Sequence, residues 1–174
     1  MAATYTLIAS NTLNSSAASV TFSAIPNTFT DLVVRVSARS NDTYGGTAFS
    51  DNFYITLNSL TSNYSQTILN GNGAAASSSR ASSQARFSYT NMVSGGNTSN
   101  TFSSVEIYIP SYTSSHGKPI STFAADENNT TTAYIKSIAY LQTATAAISS
   151  ITMNPNFGSF VSGSSFFLYG IKNS

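Results

Sequence analysis

Histidine occurs once in the 174 residues, as His116 within Ser111–Tyr134, "SYTSSHGKPISTFAADENNTTTAY". Ser114 and Ser115 precede it, and Asp126 and Glu127 follow within a dozen residues, so a nucleophile, a base and an acid lie close together in the chain. Acyl transfer by such a set requires the hydroxyl to be held against the imidazole with the carboxylate behind it. Adjacent residues in a loop point apart, and Ser115 is adjacent to His116. The pattern therefore reads as a surface loop between two strands, ended by Gly117 and Pro119.

Asp126 and Glu127 with Asn128 and Asn129 offer the oxygen ligands that calcium prefers, but EF-hand spacing is absent and two carboxylates are few. A polar turn, in which Asp126 or Asn128 accepts local backbone N–H groups, accounts for the same residues. A glycosidase pair would draw on Asp42, Asp51, Glu106, Asp126 and Glu127. Each also has an ordinary surface role, and the chain has no Trp to form a platform in a polysaccharide cleft. The sequence accordingly assigns no catalytic, cofactor-binding or metal-binding residue, calls for no cofactor, and reads as that of a non-enzyme.

The elements that would carry these residues are strands. In "DLVVRVSARS", Leu32, Val34, Val36 and Ala38 fall on one face and Val33, Arg35, Ser37 and Arg39 on the other. Related runs cover 3–9, 18–24, 52–58, 64–69, 85–93, 102–110, 119–125, 132–142, 147–153 and 165–171. Turn chemistry at Gly45-Gly46, Asn70-Gly71-Asn72-Gly73, Gly95-Gly96-Asn97 and Ser162-Gly163 is expected to supply positive φ between them. "NGNGAAASSSRASS" (70–83) has no apolar stripe and reads as a flexible loop. The expected architecture is all-β, an antiparallel β-sandwich of jelly-roll type, with residues 1–174 forming one domain.

Composition narrows the partners. Charged residues make up 7% of the chain and aromatics 12%, with a net charge of +1, while Ser, Thr and Asn supply about two fifths of it. Hydroxyls and amides must solvate this surface, and the aromatic content argues against disorder. The seven Lys and Arg are scattered, which argues against nucleic acid as a partner. No apolar run is long enough to span a bilayer as a helix. The lack of cysteine, and an opening without a basic start and long apolar core, suggest folding in a cytosol. Weak electrostatic repulsion between copies favours self-association.

Strand 132–142 looks apolar on both faces: Tyr134 and Tyr140 share one, and Ile135, Ala139 and Leu141 the other. Core burial and contact with a partner both fit. Tyr134 and Tyr140 on this strand, with Arg35 and Arg39 on strand 31–39, are the candidate interface residues. The N-x-S/T matches at Asn14 and Asn97 occur at a rate this composition gives by chance.

The segments "YTLIASNTLNSSAASVTFSAIPNTFTDLVVRVSARS", "EIYIPSYTSS", "DENNTTTAY" and "FFLYGIKNS" resemble small structural proteins of tailed bacteriophages, abundant in aquatic and cyanobacterial phages, and the likeness covers most of the chain. The resemblance implies a jelly-roll virion protein. The first expectation is a capsid decoration (cement) protein, assembled in the host cytoplasm and docked on the major capsid protein as a homo-oligomer, in particular a homotrimer. The alternative is a receptor-binding, carbohydrate-binding module of the tail or fibre, with Tyr44, Tyr64 and Tyr112 stacking on sugars. The resemblance brings no catalytic residue with it.

Overall fold

Alternating burial along the strands builds two facing sheets. The computed structural model describes residues 5–43, 50–131 and 133–172, apart from the side chain of Tyr89. Within them lie twelve strands: β1 (Tyr5–Thr12), β2 (Val20–Phe22), β3 (Asp31–Ala38), β4 (Ser50–Leu57), β5 (Tyr64–Gly71), β6 (Ala76–Gln84), β7 (Phe87–Val93), β8 (Ser103–Ile109), β9 (Lys118–Ala125), β10 (Ile135–Gln142), β11 (Ile151–Pro155) and β12 (Ser165–Ile171). No helix occurs among the described residues, so none is long and apolar enough to cross a membrane. Gly45-Gly46 and Tyr44 lie outside the described residues.

The strands form a β-sandwich. One sheet has eight strands in the order β1-β12-β3-β8-β9-β10-β5-β6, the other four in the order β2-β11-β4-β7, and the strand pairs within each are antiparallel. In β3, Leu32, Val34, Val36 and Ala38 are buried, as the alternation requires. Val33 on the opposite face is buried too, because its cross-strand neighbours there are Tyr108 and Tyr169. The core between the sheets holds two aromatic groups. Phe87 packs on Tyr64 and Tyr140, with centroids 4.6 and 4.4 Å away, and Phe160 packs on Phe53 and Phe166 at 6.2 and 4.9 Å. Rings placed edge-on or tilted in this way gain beyond simple burial.

Two local expectations need correction. Segment 70–83 is not a loop, since most of it belongs to β6, which pairs with β5 at the edge of the large sheet. Its side chains are exposed or half-buried on both faces, so the strand has no apolar alternation and is held by its backbone ladder. The turn proper is short: Asn72 Oδ1 accepts the N–H groups of Ala74 and Ala75, with Gly73 at φ +82°. Gly163 also has positive φ, at +88°, whereas Gly71 lies within β5 and Gly95 is not in that region. Gly95 is required for space, because a Cβ there would come within 2.8 Å of the Asn41 carbonyl oxygen.

Candidate functional site

The outer face of the eight-stranded sheet carries large side chains that the fold does not cover. Register sets Phe123 of β9 and Leu69 of β5 on either side of Ser137 in β10. Ile135 lies two residues from Ser137 in one direction, Ala139 and Leu141 two and four in the other, all on the same outward face. Leu69, Ile135, Phe123 and Leu141 are 58%, 52%, 51% and 38% exposed, so three neighbouring strands present one apolar patch to solvent.

A second group lies across the sheet. Phe167 and Tyr169 of β12 stack at 6.4 Å, Tyr5 meets Tyr169 edge-on at 6.2 Å, and Leu7 is exposed beside them. Between the two groups, Arg35 Nη2 pairs with Glu106 Oε2 at 2.9 Å, with both side chains mostly exposed. A shallow concavity of about 460 Å3 lies here, lined by Arg35, Glu106, Phe167 and Tyr169 among others. The pair cancels its own charge, and an ion pair this exposed adds little to stability.

The interface candidates separate. Arg35 is on this outer face. Tyr134 is half-buried just before β10, where its N–H donates to Asp126 Oδ1 and Lys136 Nζ lies 5.8 Å from its ring. Tyr140 is buried in the core, so the face it shares with Ile138 is the inward face of β10 and the exposed apolar face is the other one. Its hydroxyl donates to Ser88 O at 2.7 Å, and burial pushes its ionisation upward. Arg39 is also buried. Its guanidinium donates to the carbonyls of Gly95, Asn97, Thr98 and Thr101, at 2.7 to 3.2 Å, and so holds the β7–β8 connection. Neither Tyr140 nor Arg39 is presented to a partner.

The sugar-stacking set is also corrected. Tyr64 and Tyr112 are buried, and their hydroxyls bond backbone groups of Leu57 and Leu60 and of Pro26 respectively; Tyr44 is outside the described residues.

His116 sits exposed in its loop. What orders that loop is the next cation in sequence: buried Lys118 donates to the carbonyls of Ser114, His116 and Thr145 at 2.7, 2.5 and 3.3 Å. Burial lowers the Lys118 pKa, and carbonyl oxygens replace the water its ammonium gives up. Glu127 Oε1 accepts the N–H groups of Asn128 and Asn129, and Asn128 Oδ1 that of Thr130, which is the polar turn expected there.

Asp126 itself is fully buried. It accepts from Ser50 Oγ and from Asn91 Nδ2 as well as from Tyr134 N, and burial raises its pKa to about 6 against the pull of these bonds and of Lys136. Burial lowers Lys136 to about 8, opposed by Asp126. Asp51, buried with its Oδ1 accepting the Asn52 N–H, is likewise raised to about 6 by burial, with Asp42 adding to the rise and its hydrogen bonds opposing it. The carboxylates are thus spread among separate structural tasks, and among the described residues no three of His, Asp and Glu come together as a metal would require.

The outer patch is absent from the sequence-based candidate residues, although its signal was in the alternation. In "PISTFAA", Phe123 shares its face with Pro119, Ser121 and Ala125, a large ring on a side of otherwise small residues. No family model, curated protein or solved structure matches the chain.

Proposed function

We propose that this chain is a structural binding protein of a phage particle: a capsid decoration protein that forms a small closed homo-oligomer, a trimer, and docks on the outer lattice of the major capsid protein. The resemblance of its segments to small tailed-phage proteins supplies the setting and assigns the sandwich to the jelly-roll type. The single observation that carries the binding role is the exposed patch of Leu69, Phe123, Ile135 and Leu141. Apolar area of this kind on a folded face favours contact with another protein surface.

A second copy is the occupant of this patch. The chain carries a net charge of only +1, and the ion pair on the outer face is internally neutral, so copies meet without strong repulsion. The edge of β6 beside the patch, unpaired among the described residues, offers further backbone groups for a neighbour's strand. No reaction is assigned to the chain.

Sedimentation velocity at tens of micromolar, together with co-sedimentation with undecorated capsids, tests this reading. An oligomer that binds capsids is expected, and Leu69→Ser combined with Phe123→Ser should weaken self-association at least tenfold while the β-sheet circular dichroism persists. A wild-type monomer without capsid affinity would overturn it.

A further inference from the structure

A concavity of about 520 Å3 lies away from the outer patch, where the chain passes from β6 into β7. It is lined by Asn52, Phe53 and Tyr54 of β4, Gln84, Ala85, Arg86 and Ser88 around the β6–β7 passage, and Asn156 just after β11. Asn52 and Tyr54 alternate onto the same face of their strand, and the Asn156 N–H donates to the Asn52 carbonyl at 2.7 Å, which fixes the two amide side chains on neighbouring backbone. The volume falls within the range of small-ligand sites.

Its chemistry is selective. The Arg86 guanidinium carbon lies 3.7 Å from the centroid of the Tyr54 ring. Contact with the ring restrains the planar group without consuming its N–H donors. Among the described residues, Arg86 has no carboxylate or hydrogen-bond partner, and no acid lines the concavity. Asn52 carries a buried Oδ1 with no partner. The site therefore combines a fixed, unspent cationic fork with amide and hydroxyl groups, set beside the apolar Phe53 and Ala85.

From this combination we infer that the Tyr54–Arg86 concavity binds a carboxylated sugar residue of a glycan, the guanidinium taking the carboxylate in a bidentate grip and the amides taking ring hydroxyls. A bare anion would leave the amides unused, and a neutral sugar would leave the guanidinium unused. The site is separate from the self-association patch, and either can fail without the other.

A 1H–15N correlation titration with methyl β-glucuronide, methyl β-glucoside and acetate tests the inference. Glucuronide should shift signals of Asn52, Gln84, Arg86 and Asn156, with glucoside and acetate each at least tenfold weaker. Arg86→Gln should abolish glucuronide binding. Arg86→Lys, which keeps the charge but loses the fork, should weaken it by about tenfold with signal dispersion preserved. Equal response to glucoside would remove the role of Arg86. Equal response to acetate would reduce the site to a general anion site. The absence of shifts at these residues would overturn the inference outright.

Discussion

The hydroxyl of Tyr140, on β10 of the large sheet, lies 3.0 Å from Thr90 Oγ1, on β7 of the small one. The contact ties the two layers together through the middle of the aromatic core, beside Phe87. Tyr140 thus contributes volume and a polar bond at the same place.

Removing only the bond and removing the ring should differ. Tyr140→Phe leaves Thr90 without this partner in a buried setting and should cost about 1–2 kcal/mol. Tyr140→Ser empties the space of a ring and should cost about 3–5 kcal/mol, enough to unfold a marginal domain. Urea denaturation monitored by circular dichroism separates the two cases. Equal small losses would mean that the ring is not needed between the sheets.

Arg39→Ala should release the β7–β8 connection. Four carbonyls lose a charged donor, at a cost of about 2–4 kcal/mol, and hydrogen exchange should rise in residues 95–101 before it rises in β3. Arg39→Lys should rescue only part of this protection, because one ammonium cannot span the acceptors that the two terminal guanidinium nitrogens reach.

Stability should decline between about pH 4 and pH 6. Asp51 and Asp126 both rise from 3.8 to about 6 on folding, by burial first. In this window the unfolded chain has already released protons that the folded one retains, so the stabilisation present below pH 4 is lost as pH passes through 6, by at most about 3 kcal/mol per group. Lys136 has the opposite sign: its pKa falls from 10.5 to about 8, so stability returns as pH rises above 8, until the buried tyrosines oppose it. Thermal melts at pH 4.5, 7 and 9.5 should therefore show the lowest midpoint at pH 7. Asp51→Asn should raise that midpoint and reduce the slope on the acid side; a melt that climbs steadily from pH 4 to 7 would contradict both assignments.

Gly170→Ala should destabilise the closing strand. A Cβ at this position would run into Cγ of the Phe29 ring, which packs directly on the Gly170 backbone. Displacing the ring should cost about 1–3 kcal/mol. The second change Phe29→Leu, which removes the obstructing face, should recover part of that loss in a double-mutant cycle.

The legibility of the sequence followed the presence or absence of a pattern. Alternation located eleven strands, and in β3 it placed Val34 and Val36 inward, because their face is uniformly apolar while the other carries Arg35 and Ser37. β6 escaped because an edge strand with both faces open needs no such pattern, and its Ala and Ser residues resemble a linker. For β10, alternation separated Tyr140 from Ile135 and Leu141 but could not say which side faced the second sheet; only the pairing with β9 and β5 and the packing on Phe87 decide that. Arg39 shows another limit. Its buried role depends on carbonyls nearly sixty residues away in sequence, and backbone acceptors carry no side-chain signature. The polar turn at Glu127–Thr130 was readable because its bonds are local.

β6 bears on how this chain changes over generations. Residues Ala76–Ser83 meet little besides water and the backbone of β5, so selection there reduces to tolerance of extended backbone and avoidance of a sticky edge. Codons there are free to drift among Ser, Thr, Ala and Asn far more widely than those of β3. Among descendants of one ancestor, this strand would lose recognisable similarity first, while its place in the sheet stayed unchanged.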